Sequence, residues 1–224
     1  QNWQLLNLFH RKMKDKFVRK YMKLAREIAN DQNPCLSRKV GVLVVDPTTN
    51  GIVGAGYNGP PENTPHCNEV KFLKNFFWPQ LTDAEQMRVF EKYADAKHLK
   101  NHLSFIHNVQ PSDGKKDIYK FLSQCKECPR RILGYSAGER SELCSCQHAE
   151  RNALNKLPIP AKGLVMFCWC GVPCIQCSGS IINAGIKEIH CLKEKDYQAS
   201  ARWLFKHANT ELYEHDTSML ELQN

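Results

Sequence analysis

The stretch "CQHAERNALNKLPIPAKGLVMFCWCGVPCIQCSGSIINAG", residues 146–185, decides the fold. It reads as helix ("HAERNALNKL"), strand ("GLVMFCWC") and helix ("CIQCSGSIINAG"), and the chain continues with strand ("KEIHCL"), helix ("YQASARWLFKH") and strand ("TELYEH"). This alternation predicts parallel strands with helices packed on the sheet. Upstream, "VGVLVV" and "GIVGAGY" flank the turn "DPTTNG", which predicts an antiparallel hairpin. Before the hairpin, "DKFVRKYMKLAREIA" (15–29) places Phe17, Tyr21, Leu24 and Ile28 on one face of an opening amphipathic helix.

The same stretch carries chemistry. Cys174 and Cys177 stand three apart just after Pro173, so at a helix start their sulfurs point to one side. Proline is tolerated there because its missing N–H has no intrahelical partner. The helix N-terminus favours thiolates over thiols. A catalytic zinc takes three protein ligands and keeps its fourth position for water, and His148 is the candidate third ligand. Glu150 lies two residues on, off the face of His148, where it serves as a proton carrier rather than a ligand. The competing interpretation is a buried histidine, a solvated glutamate and two inert core cysteines.

Bulk properties narrow the class. The 224 residues bury a core of real size, and 42% of them are hydrophobic. The apolar runs fall far short of the ~18 residues of a membrane span. Eleven cysteines in so long a chain point to ligands rather than a disulfide scaffold. The net charge of +8 is spread through mixed runs such as "HRKMKDKFVRKYMKLAR", which suits anionic partners, nucleotides or nucleic acid alike. "QNWQLLNLFHRKMKDKF" has no sustained apolar stretch or cleavage site of a secretory signal, so a cytoplasmic protein is expected. The expected organisation is one domain over 13–224, with an extension over 1–12 and an aromatic, basic insertion at about 68–127. Within the insertion Thr82-x-x-Glu85 is a capping box opening a helix.

His148-x-Glu150 followed by Pro173-Cys174-x-x-Cys177 is the known H-x-E…P-C-x-x-C signature of zinc-dependent nucleobase deaminases. With "CLSRKVGVLVV", "GYNGPP", "PHCNEV", "GERSELC", "INAGIKEI" and the tyrosine of "EKDYQAS", the chain resembles the deoxycytidylate (dCMP) deaminases of the cytidine deaminase superfamily. The resemblance runs from about residue 15 to 215. It implies a three-layer α/β/α cytidine deaminase-like fold with a mixed five-stranded sheet, commonly assembled into hexamers. It implies hydrolysis of dCMP to dUMP, the step that supplies dTMP synthesis. Zinc lowers the pKa of a bound water, and Glu150 carries its proton, first as base and then as acid.

By the same resemblance Asn58 meets the sugar or a regulatory nucleotide, and Arg38 and Tyr197 are candidates for the 5'-phosphate. Alternatively Arg38 is a solvated charge and "YNG" a plain turn. Tyr57 and Asn58 are expected at an allosteric site where dCTP activates and dTTP inhibits, with Mg2+ accompanying the nucleotide. Cys35, Cys67, Cys128 and Cys144 fall in blocks resembling relatives with a second, structural zinc, with His66 and Cys125 as near substitutes, or else are free buried thiols. His98 and His102, four apart in the insertion, lack a supporting ligand pattern. Cys168 and Cys170 stand where the family more often has an aromatic residue and threonine, and are read as core. The rival activities are deamination of dCTP, or of tRNA or single-stranded DNA. A non-catalytic zinc module is a third reading, against which Glu150 argues, since a structural site has no use for it.

Overall fold

The computed structural model describes residues 13–96, 111–136, 138–194 and 198–221. The chain divides into two compact units, one with the segments up to Asn33, Val40–Tyr57 and from His148 onward, the other with Pro34–Lys39 and Asn58–Gln147.

In the first unit the elements run α1 (Asp15–Glu27), β1 (Gly41–Asp46), β2 (Gly51–Tyr57), α2 (Ala149–Asn155), β3 (Val165–Cys168), α3 (Ile175–Ala184), β4 (Glu188–Leu192), α4 (Ala199–His207), β5 (Glu211–His215) and α5 (Thr217–Glu221). The strands form one mixed sheet in the order β2-β1-β3-β4-β5. β1 is antiparallel to β2 and β3, whereas β3, β4 and β5 are parallel. The hairpin and the parallel strands expected from the sequence are both present.

Period-two alternation sorts the core into layers. Val42 and Val44 of β1 pack with Ala149, Ala153, Ile181, Ala201 and Phe205 from α2, α3 and α4. Leu43 and Val45 point the other way, to Val18, Tyr21, Met22 and Ala25 of α1 and Leu220 of α5. Helices therefore cover both faces of the sheet. The buried face of α1 is Val18, Tyr21, Met22 and Ala25. This corrects the stripe expected from the sequence: Tyr21 is in it, Phe17 and Ile28 are only partly buried at its margin, and Leu24 is exposed. Small Ala25 faces the sheet because α1 lies close to it, against Gly41, where a Cβ would collide with the Ala25 carbonyl.

The second unit has its own aromatic core, in which Phe72, Phe77, Trp78, Tyr119 and Leu122 are buried. The capping box opens the helix Asp83–Ala96 as expected: Thr82 N donates to Glu85 Oε2 at 2.7 Å, and Glu85 N donates to Thr82 Oγ1 at 3.3 Å. Glu85 is buried and also accepts from Tyr135 OH at 2.6 Å and from Arg140 Nε and a terminal nitrogen at 2.9 and 3.0 Å. Burial opposes its ionisation, yet Tyr135, Thr82 and Arg140 outweigh burial and hold its pKa at about 2. Among the described residues no helix is long and apolar enough to cross a membrane.

Candidate metal centre

α2 has only seven residues, too few to be stable alone, so packing fixes its place. It lies on β2 at Gly56, where a Cβ would run into the Ala149 carbonyl oxygen and the Ala153 backbone nitrogen. Glycine at this position is what lets the first turn of α2 approach the sheet.

His148 is the N-cap of α2 and Cys174 the N-cap of α3, both with extended backbone (φ −70°, ψ 148° and φ −61°, ψ 161°). The sequence reading put Cys174 inside the first turn after Pro173. It stands instead just outside the helix, where an extended residue can turn its side chain toward the neighbouring helix start. His148 Nδ1 lies 3.5 Å from Cys174 Sγ and 3.3 Å from Cys177 Sγ. Zinc at ordinary bond lengths separates tetrahedral nitrogen and sulfur ligands by about 3.6 Å, so these residues fit the ion. The three ligand atoms all lie within 4.8 Å of one another; His148 faces solvent and Cys177 is buried.

The electrostatics suit a cation. Cys174 is drawn down to about 3, chiefly by a hydrogen bond from Cys177 and further by His148. Cys177 is pushed up by the same thiol contact and by burial. His148 is raised, first by Cys174 and also by the charge of Glu150. Glu150 is buried in the first turn of α2. Between the two helices Arg151 donates to Gln176 Oε1 at 3.0 Å.

A second group of thiols gathers in the other unit. Cys146 hydrogen-bonds with Cys144, Cys35 and Cys67, which raises its own pKa. The same contact lowers Cys35 to about 5 and Cys144 to about 6, with help from the charge of Arg130, and lowers Cys67 as well. The group is looser than the one around His148. Cys35, Cys67 and Cys144 were expected together. Cys146, at the centre, was missed, although the C-x-C spacing with Cys144 was a usable signal. Cys128 is buried within electrostatic range of Cys67 and Cys144, and burial raises its pKa. His66 contributes its backbone N–H to Glu69, and burial raises Cys125.

Asn58 donates from Nδ2 to the Arg38 carbonyl at 2.9 Å, which ties two of the expected substrate residues together, and Arg38 is exposed. Tyr57 ends β2 with the Lys156 ammonium 5.8 Å from its ring centroid. Cys168 and Cys170 are buried and hydrogen-bonded to each other, and that contact together with burial keeps Cys168 protonated, as expected of inert core thiols. Tyr197, His98 and His102 lie outside the described residues.

Known proteins resemble this chain in sequence and fold. A deoxycytidylate deaminase of Schizosaccharomyces pombe (strain 972 / ATCC 24843) is 25% identical over 170 residues, which cover 75% of this chain and 34% of that protein. The chain thus spans about a third of the length of this curated relative. The crystal structure of dCMP deaminase from the cyanophage S-TIM5 in complex with dCMP and dUMP shares the fold, with a TM-score of 0.52 at 19% identity over 91% of this chain and 100% of that one. The family described as "Cytidine and deoxycytidylate deaminase zinc-binding region" matches residues 15–193, and the chain belongs to it.

Proposed function

We propose that the chain is a zinc-dependent deaminase that converts dCMP and water to dUMP and ammonia. The observation that carries this reading is the convergence of His148, Cys174 and Cys177 beside a buried Glu150 at the start of the same helix. The relatives named deoxycytidylate and dCMP deaminases support the choice of substrate.

His148, Cys174 and Cys177 would hold the zinc, which when bound supplies Lewis acidity and lowers the pKa of a water at its fourth position. Glu150 takes the proton of the attacking water as its oxygen bonds to C4 of cytosine, and passes that proton to N3. It then takes the remaining proton from the new C4 hydroxyl and delivers it to the amino group; the C4–N bond breaks as C4=O forms, ammonia leaves and the ring is left as uracil. Using one carboxylate for both transfers requires that it exchange protons with substrate rather than with bulk water, and the burial of Glu150 supports this.

Arg38 and Tyr197 are assigned to the 5'-phosphate and Asn58 to the sugar. Arginine presents a planar fork to a phosphate, and the Asn58 bond to the Arg38 carbonyl supports a shared role. Tyr57 is assigned to a regulatory site for dCTP and dTTP, in a homohexamer, with Asn58 at that site as the alternative to its sugar contact. Cys35, Cys67, Cys144 and Cys146 are assigned to a structural zinc, since four thiols can close its tetrahedron. This set replaces Cys128 with Cys146. The test is ammonia release from dCMP, dCTP, deoxycytidine and single-stranded DNA offered separately. The proposal expects dCMP to be turned over most efficiently; preference for the polynucleotide, or no release from any of them, rejects it.

A further inference from the structure

Three contacts fasten α2 at the point where β2 ends. The backbones meet without side chains between them at Gly56, Ala149 and Ala153. This contact sets how closely the helix lies on the strand. The Lys156 ammonium stands over the Tyr57 ring at 5.8 Å, but Lys156 is exposed and its charge is non-directional. The third contact is directional: Asn152 donates from Nδ2 to the Tyr57 carbonyl oxygen at 2.8 Å. The backbone N–H of Asn152 meanwhile donates to the His148 carbonyl at 3.0 Å, closing the first turn of the helix. One residue therefore grips the end of β2 with its side chain and the main chain of a metal-ligand residue with its backbone, and Glu150 lies inside the turn it closes.

We infer that Asn152 is a positioning residue for deamination, the link that sets the rotation and height of the first turn of α2, and with it His148 and Glu150, against Tyr57. The inference rests on the deaminase reading for its effect on turnover, and on the geometry alone for its effect on the metal site. A seven-residue helix takes its register from its packing and its side-chain bonds, and a misplacement of about 1 Å at a catalytic group costs on the order of 100-fold in rate.

The experiment compares the parent with Asn152→Ala and with Asn152→Asp, which keeps the shape but replaces the donor with an acceptor. Each is loaded with zinc for kinetics on dCMP and with cobalt for absorption spectroscopy. The expected result is full metal loading, a KM within about twofold, a kcat lower by about 10- to 100-fold, and a shift of the cobalt ligand-field bands. A merely structural role would lower the melting temperature while leaving kcat per loaded molecule and the cobalt spectrum unchanged, and that result overturns the inference. Should Asn152→Ala not fold, the isosteric Asn152→Asp carries the test. Should the parent turn over no cytosine compound, the deaminase reading fails, and the cobalt spectrum still decides whether Asn152 positions the site.

Discussion

At Gly56 an absent side chain determines where the catalytic helix lies. Gly56→Ala would drive a methyl into the Ala149 carbonyl and the Ala153 nitrogen, both backbone atoms that cannot turn aside. We expect a loss of about 1–3 kcal/mol in denaturant unfolding, as for other overpacked sites, together with weaker zinc retention because His148 moves with the helix. Unchanged stability and zinc content would show that α2 is free to back away. The cysteines offer a second residue-level test. Cys146→Ser should reduce zinc by one ion per chain, whereas Cys128→Ser should leave it unchanged, as measured by elemental analysis. The reverse outcome would restore Cys128 as a ligand. The grouping of His148, Cys174 and Cys177 was legible because their spacing is local and chemically specific. Cys146 was not, because beyond its neighbour Cys144 its partners Cys35 and Cys67 come from segments far apart in sequence.

Among the elements, helix starts were the easiest to read. Thr82 and Glu85 satisfy each other's backbone donors with a pattern four residues long, so the capping box survives any tertiary context. The buried face of α1 was harder. Phe17, Tyr21, Leu24 and Ile28 form an apolar stripe, but close approach to the sheet favours Val18, Met22 and Ala25, and bulk is pushed to the margin. The Glu85 network predicts a pH dependence. Its folded pKa is about 2, below the ordinary 4.5, so its stabilisation is fully present above 4.5 and is lost as pH falls toward 2. Melting temperatures of the parent and Glu85→Gln should therefore differ at pH 7, with the parent higher, and converge between about 4.5 and 2. A gap that does not narrow over that range would mean that packing, not charge, is what Glu85 contributes.

For the whole molecule, the order of strands and helices followed from the alternation of periodicities, whereas the division into two units did not, because a second core appears in sequence only as a change of composition. Regulation is the prediction that belongs at this scale. An effector must bind active and inactive states with different affinity. Titration against dCMP turnover should show activation by dCTP and inhibition by dTTP at a site distinct from the substrate's; purely competitive behaviour of both would leave Tyr57 and Asn58 in a substrate loop or a turn. The central claim, that Glu150 carries the proton beside a zinc held by His148, Cys174 and Cys177, is tested most directly by dUMP formation from dCMP in zinc-loaded Glu150→Gln. The account predicts retained zinc with turnover reduced by about 10² to 10⁴ or more. Turnover close to that of the parent at full zinc content would contradict it.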